Sequence, residues 1–406
     1  MGRSAAFGSW CFNSDRLIAV ARVWCVIAAL LFTFHVARQL QVDWTDGAGA
    51  PLGEDFLNFW SAAHLSATGN WPLIYDLQGF HRFENAVVGG VIGLYHYSYP
   101  PVTWLLTAPL AALPYPVALA FWQVGGWALF AAAIRRIAPH HWLLLSLATP
   151  AVFINATGGQ NGCWLAAAIG WGLILLSSRP ILAGAIFAVF VIKPQLGWLI
   201  PIALLAGGER RALLGFIVTA VALLLLSVAV YGPAAWLAYA ERAQMLTRVI
   251  LEHGSGTWHR MLSVFVFVRH AGSTAAIAYG AQAIASCIAA ALVARIWRRH
   301  GPEPTSAAVL VLGLLASAIY VSDYDCVMVA LAAAWHWPRA SQSARFALAA
   351  AILLPLFAAV AANATHLALG MIVLWIAFLA VVHDAMQPDA ELDARSRDLD
   401  LDPAAA

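Results

Sequence analysis

The sequence predicts an all-α polytopic membrane protein, on three observations: its apolar content, a set of apolar runs of membrane-crossing length, and basic residues confined to short clusters between those runs. Of the 406 residues, 62% are hydrophobic and only 10% are charged. With a mean hydropathy of +0.77, the chain carries more apolar surface than a water-soluble domain can bury. Runs such as residues 17–36, 212–230 and 275–297 can cross a hydrocarbon core of roughly 30 Å as helices, in which each backbone amide finds its partner within the segment. A net charge of +2 gives no basic surface for nucleic acid. The cysteines, at 11, 25, 163, 287 and 326, show no CxxC or Cys/His ligand spacing, so neither a disulfide framework nor a zinc site is expected.

Taken in order, the first apolar run follows Arg16 and has no small-residue cleavage site after it, which predicts a retained span rather than a signal peptide. Basic clusters at Arg135-Arg136, Arg179, Arg210-Arg211, 295–299 and 339–345 mark cytoplasmic loops by the positive-inside rule. Residues 38–98 then form a first external loop, long enough to hold interfacial helices. Between Tyr99 and Arg135 there is sequence for two spans but charge logic for one, so residues 100–113 are expected as a re-entrant or tilted segment. The turn Gly158-Gly159-Gln160-Asn161-Gly162 faces outward. Residues 180–192 and 194–206 make short legs at ~1.5 Å per residue, which puts the Lys193-Pro194-Gln195 turn at or below the outer interface. Residues 231–273 form a second external loop, and the last spans carry residues 322–325 and 363–366 outside. The expected total is about 11 to 13 spans, with no internal repeat of the kind that builds transporters. The membrane domain covers residues 1–385, and residues 386–406, with six acids against two arginines, are expected as a disordered acidic cytoplasmic tail.

The charge map puts the informative polar residues on one face. Glu54-Asp55 precedes Phe56, Phe59 and Trp60; a carboxylate in such low-dielectric surroundings is a candidate general base, and a helix N-cap is the other role open to Asp55. The stretch Tyr95-His96-Tyr97-Ser98-Tyr99-Pro100-Pro101 suits either an interfacial belt or a platform for a sugar ring. Lys193 is the costliest residue, since a lysine at membrane depth is disfavoured by roughly 2.5 to 3.5 kcal/mol. It calls for an anionic partner, for which a phosphate qualifies with Gln195 adding a directional bond, or else it snorkels to the interface. In residues 252–260, His259 and Arg260 flank a Gly-Ser-Gly loop that can fold over an anion, although the spacing is not that of a Walker loop. Asp323 and Asp325 would diverge by ~200° on a helix, so metal capture would require a non-helical turn. Helix capping by Asp323, and pairing of Asp325 with Lys193 or Arg260, are the other roles.

In their order, these segments resemble the membrane-embedded glycosyltransferases of C-type fold, and within them glycosyltransferase family 87. The resemblance rests on the Asp55-Phe56 loop with its Ala-rich helix and Gly69, on Tyr75-Asp76, and on Tyr97-Ser98-Tyr99-Pro100-Pro101 with Pro109-Leu110 and Leu113-Pro114. Gly159-Gln160-Asn161, Lys193-Pro194-Gln195 and Tyr324-Asp325 complete it. It implies transfer of a hexose, typically mannose, from a polyprenyl-phosphate donor to a lipid-linked or glycan acceptor, with inversion, at the outer face of a bacterial cytoplasmic membrane. Asp55 would be the catalytic base, and Lys193, His259 and Arg260 would hold the donor phosphate. Glu54, Tyr97, Tyr99, Gln160, Asn161, Gln195, Trp258, Tyr324 and Asp325 would line the sugar and acceptor sites. A monophosphate leaving group can be met by cationic side chains, so neither a metal nor a cofactor is expected. The competing classes are a lipid-linked sugar transporter or flippase gated by Lys193 and Asp325, and a non-catalytic assembly subunit. A transporter calls for polar residues within several spans, whereas these gather in outer loops.

Overall fold

The computed structural model describes residues 14–387, so all of the acidic tail expected over 386–406 except its first two residues lies outside the described residues. The described chain is helical, with isolated bridges but no β-strand. Five helices are long and apolar enough to cross a membrane: Asp15–Gln39, Tyr115–Ile137, Arg210–Glu252, Ala275–His300 and Gln342–Thr365. Six shorter apolar helices accompany them, Val102–Ala112, Gly162–Leu175, Pro180–Ile192, Pro194–Ala206, Pro304–Ser317 and Gly370–Met386.

The two sets differ in burial for a physical reason. Long helices such as Asp15–Gln39 and Arg210–Glu252 leave Leu30, Phe34, Leu225 and Val230 exposed, as side chains meeting lipid require. Among the shorter ones, Pro304–Ser317 buries nearly its whole circumference, with Val309, Leu310, Val311 and Leu314 inaccessible, and so lies at the centre of the bundle. Without a hydrophobic force between helices in lipid, close backbone approach supplies the packing. Pro180–Phe187 crosses Arg210–Leu246 at Gly184 and Gly215, where a Cβ would collide with the carbonyl oxygens of Ala212 and Ile181.

Proline and glycine set the breaks. Val102–Thr107 tightens into a 3-10 turn, Ala108–Ala112, with Pro109 in its first positions and Pro114 just beyond it. The segment is too short to cross at ~1.5 Å per residue. Gly232, at φ +80°, and Pro233 bend the Arg210–Leu246 helix, as a missing amide donor does. Beyond that bend the chain runs on as helix to Leu246 and through a π-helical turn, Thr247–Glu252, so that the open loop begins only at His253. Arginines close the last turn of Tyr115–Ile137 and Ala275–His300.

Between Gln39 and Pro100 the chain builds a small layer from helices Phe56–Ala67, Pro72–Tyr75 and Leu77–Val88. Phe56–Ala67 is buried on nearly every side, because it is wedged between the other two helices of that layer and the bundle. Trp60 Nε1 donates to Leu113 O at 3.0 Å, and the Tyr115 hydroxyl donates to Leu52 O.

The glycine crossing gives a direct test. Gly184→Leu is expected to destabilise the protein by about 1–3 kcal/mol through overpacking, read as a lower unfolding temperature in detergent. Gly280→Ala, on a helix position with nothing within 4 Å, is expected to leave it unchanged or slightly higher.

Candidate active site

The site begins with a backbone device. Gly53 and Glu54 both take positive φ, +75° and +41°; for the glutamate this is a strained conformation that surrounding structure must hold. The reversal brings the loop onto the Gly158-Gly159-Gln160 turn. Gly159 is at φ +61°, and a Cβ there would run into Gly53 O and Phe56. Asp55 N donates to Gly158 O at 3.2 Å. Trp122 Nε1 closes the turn from the other side, donating to Gly159 O and Gln160 O at 3.1 Å.

Asp55 occupies the N-cap position of Phe56–Ala67, yet its side chain makes no cap bond. Its carboxylate instead accepts from Gln160 Nε2. Phe56 and Phe59 lie beside the Trp122 ring, at centroid distances of 5.9 and 4.9 Å. The carboxyl is half-buried, and burial pushes its pKa up, while the charge of Arg260, the Gln160 bond and the charge of Lys193 pull it back. Glu54 is raised to about 7, by burial first and by the charge of Asp55 second. Its Oε1 lies 3.4 Å from His35 Nε2.

Opposite stands a cluster of paired charges. Ser322 and Asp325 form a capping box around the 3-10 turn Asp323–Cys326, with Ser322 N donating to Asp325 Oδ2 at 2.9 Å. The second oxygen of Asp325 accepts from Lys193 Nζ at 3.0 Å, and both side chains are buried. Lys193 Nζ also meets the Tyr324 hydroxyl at 3.4 Å and lies 4.6 Å from its ring centroid. Arg260 forms a fork onto Asp323, Nε to Oδ2 at 2.9 Å and Nη2 to Oδ1 at 3.0 Å. These bonds leave one Lys193 N–H and the Arg260 Nη1 group uncommitted among the described residues, so each cation is fixed in place and can still donate.

Tyr99 links the two halves. Its hydroxyl accepts from Asn161 Nδ2 at 3.2 Å, its carbonyl accepts from the Tyr75 hydroxyl at 2.8 Å, and its ring packs on Phe59 at 4.8 Å. Gly162 lies against the Tyr324 carbonyl, where a Cβ would collide. Met261 bridges to Ser322, and Leu262 N donates to Val321 O at 3.0 Å, which ties the Arg260 segment to the aspartate turn. No group of three or more His, Cys, Asp or Glu side chains with metal-holding geometry occurs among the described residues.

The structure therefore brings Asp55, Tyr99, Gln160, Asn161, Lys193, Arg260, Tyr324 and Asp325 together, with Glu54 at the edge. It sets other sequence-predicted residues apart. Tyr97 is buried in an aromatic cluster with Tyr75, Phe80 and Trp104. Trp258 anchors its loop: Nε1 donates to Leu251 O at 2.9 Å, and its ring meets His270 at 4.8 Å. His259 is half-buried and exerts its charge on His270. Gln195 lines a separate cavity of about 330 Å³ with Trp198, Tyr279, Gln282 and Ser286. Two residues escaped the sequence reading. Tyr320 lies among the charges of Lys193, Asp55, Asp325 and Arg260, and its signal was a tyrosine ending an apolar run just before the aspartates. Trp122 gave none, being one tryptophan in a long apolar stretch.

A charged cluster of this kind at one end of a helical membrane bundle suits chemistry on a substrate at the membrane surface. The family model for glycosyltransferase family 87 matches residues 97–322, more than half of the chain, and the chain belongs to that family. It is a membrane glycosyltransferase. The match takes in Tyr99, Gln160, Asn161, Lys193 and Arg260, and leaves Asp55 and the Asp323–Asp325 turn on either side. No curated protein and no solved structure matches the chain.

The Lys193–Asp325 pair makes a stability prediction. Lys193→Met or Asp325→Leu alone strands a buried charge, at a cost of about 3–5 kcal/mol. The double variant is expected to recover more than half of that loss, as measured by thermal unfolding in detergent.

Proposed function

We propose that the protein transfers a hexose, with mannose the first choice, from a polyprenyl-phosphate donor to a lipid-linked or glycan acceptor, with inversion and without a metal. The reaction takes place at the outer face of a bacterial cytoplasmic membrane. The observation that carries this reading is Asp55: a carboxylate held by Gln160 against an aromatic wall, within the field of two cations that each keep a free donor. Asp55 takes the proton from an acceptor hydroxyl as that oxygen attacks the anomeric carbon. The bond from that carbon to the phosphate oxygen breaks on the opposite face, and Lys193 and Arg260 meet the charge developing on the phosphate. Their carboxylate partners keep both cations in place before substrate arrives, which lowers the reorganisation needed in the transition state.

The lipid half of the donor finds support in the cavity beside Gln195. The segment that carries Lys193 also supplies Gln195 and Trp198 to that cavity, and Ile319 lines it next to Tyr320. One pair of chain segments thus walls both the charged cluster and a recess against Ala275–His300, where the first isoprenoid units of a lipid phosphate would lie. The outward orientation rests on the arginines, which close the ends of Tyr115–Ile137 and Ala275–His300.

Incubation of purified protein with a panel of polyprenyl-phosphate sugars, scored by release of the lipid phosphate, tests this reading. Asp55→Asn is expected to lower turnover roughly 10²–10⁴-fold, the usual share of a general base, with normal membrane insertion. Turnover unchanged in that variant would remove Asp55 from the base role. The pH dependence follows from the signs. A base works deprotonated, so kcat/KM rises with pH through an Asp55 ionisation displaced above the usual aspartate range by burial. Glu54 ionises near 7 and adds a negative charge that opposes an anionic donor, so it contributes a partial decline through that pH. Glu54→Gln is expected to remove the inflection near 7 and leave the acidic limb in place; an unaltered profile would exclude Glu54 from the site's charge balance.

A further inference from the structure

Glu84 is a buried carboxyl that nothing above employs. It is fully inaccessible, and neither Oε1 nor Oε2 has a hydrogen-bond partner among the described residues. It belongs to the stripe Phe80, Glu84, Val88 by which Leu77–Val88 packs inward, one helical turn apart. Phe80 sits in the cluster that holds Ala62 and Leu65, whereas Val88 sits in the one that holds Phe56 and Leu57. Glu84, midway between them, therefore faces the middle of Phe56–Ala67, the helix that begins right after Asp55. On that helix the Asn58 Oδ1 and Ser61 Oγ atoms are likewise buried without a partner among the described residues. Such groups cost several kcal/mol when left without a hydrogen bond, and a small cluster of them is the usual setting of ordered internal water.

The groups that share this compartment are anionic or neutral. The charge felt by Glu84 is that of Asp55, and Glu84 in turn acts on the Tyr95 and Tyr115 hydroxyls. Asp55, by contrast, has Gln160, Arg260 and Lys193 to support its anion. Two carboxyls in one low-dielectric compartment, only one of them supported by donors and cations, divide the roles of anion and neutral acid between them.

We propose that Glu84 is a positioning residue for Asp55: an uncharged carboxylic acid, joined through internal water to Asn58 and Ser61, that places no further anion beside Asp55 from the inner side of the Phe56–Ala67 helix. This inference rests on Asp55 being the base. Burial and the Asp55 charge place the Glu84 ionisation at about 9. Its proton is therefore in place below that pH and lost above it, when a second negative charge faces an anionic donor.

The test compares the pH profiles of kcat/KM for wild type, Glu84→Gln and Glu84→Leu, with the Glu54→Gln substitution in all three to remove the nearer titration. Wild-type Glu84 is expected to give an alkaline decline near 9. Glu84→Leu, which removes the polar partner of Asn58 and Ser61, is expected to lower kcat about tenfold, in the range expected when buried polar groups lose a neutral hydrogen-bond partner. Glu84→Gln, the neutral isostere, should restore kcat and abolish the alkaline decline. An alkaline limb unchanged in Glu84→Gln, or a kcat as low as that of Glu84→Leu, overturns the proposal. Where a variant fails to fold, the infrared carbonyl band of a protonated carboxylic acid in the wild type decides: it should persist at neutral pH and vanish above the alkaline limb, and its absence at neutral pH overturns the proposal. The base assignment fails separately, through an active Asp55→Asn variant.

Discussion

The site depends on the pairing of Lys193 with Asp325. A lysine ammonium this far from bulk water requires a fixed anion, and Asp325 can serve because its other oxygen is already held by the Ser322 amide. That arrangement fixes the Ser322–Cys326 turn, and the turn presents Asp323 to Arg260. The Tyr324 ring between the two aspartates lies within reach of both cations. One ion pair thus organises residues from three distant stretches of chain. The same pairing leaves each cation oriented rather than mobile, which suits a group that must meet charge at a defined point.

The second constraint is steric. The layer that carries Asp55 meets the bundle where Gly159 lies against Gly53 and Phe56, and no side chain fits between them. The Gly158 carbonyl and the Gln160 amide then fix both the backbone and the carboxylate of Asp55. The acid arrives from outside the stretch matched by the family model, and the glycine turn inside that stretch positions it. Burial raises this carboxyl while the charges of Arg260 and Lys193 and the Gln160 bond restrain it.

Much of the fold was legible in the sequence because lipid imposes a coarse and severe rule: every backbone amide must be paired within a helix, and charge is excluded. Apolar runs, arginine clusters and the isolated Lys193 could therefore be read residue by residue. The short, tilted course of residues 100–113 was legible in this way, but the helix that continues beyond Gly232 to Leu246 was hidden, since residues 231–273 read as an external loop. Gln195 shows the same limit at the scale of the site. Its neighbour two positions back enters the charged cluster, whereas its own amide faces a cavity on the other side of that segment.

The sequence by itself determined the membrane class, the broken short helices and part of the set of polar residues that gather around Asp55 and Lys193, because each follows from local composition and spacing. Tertiary structure alone decided the partners: Asp55 with Gln160 rather than with its own helix end, Lys193 with Asp325, Arg260 with Asp323, and Glu84 enclosed with none. Those choices depend on which distant segments come within about 3 Å of each other, the range over which hydrogen bonds and ion pairs discriminate. Local sequence does not encode that distance.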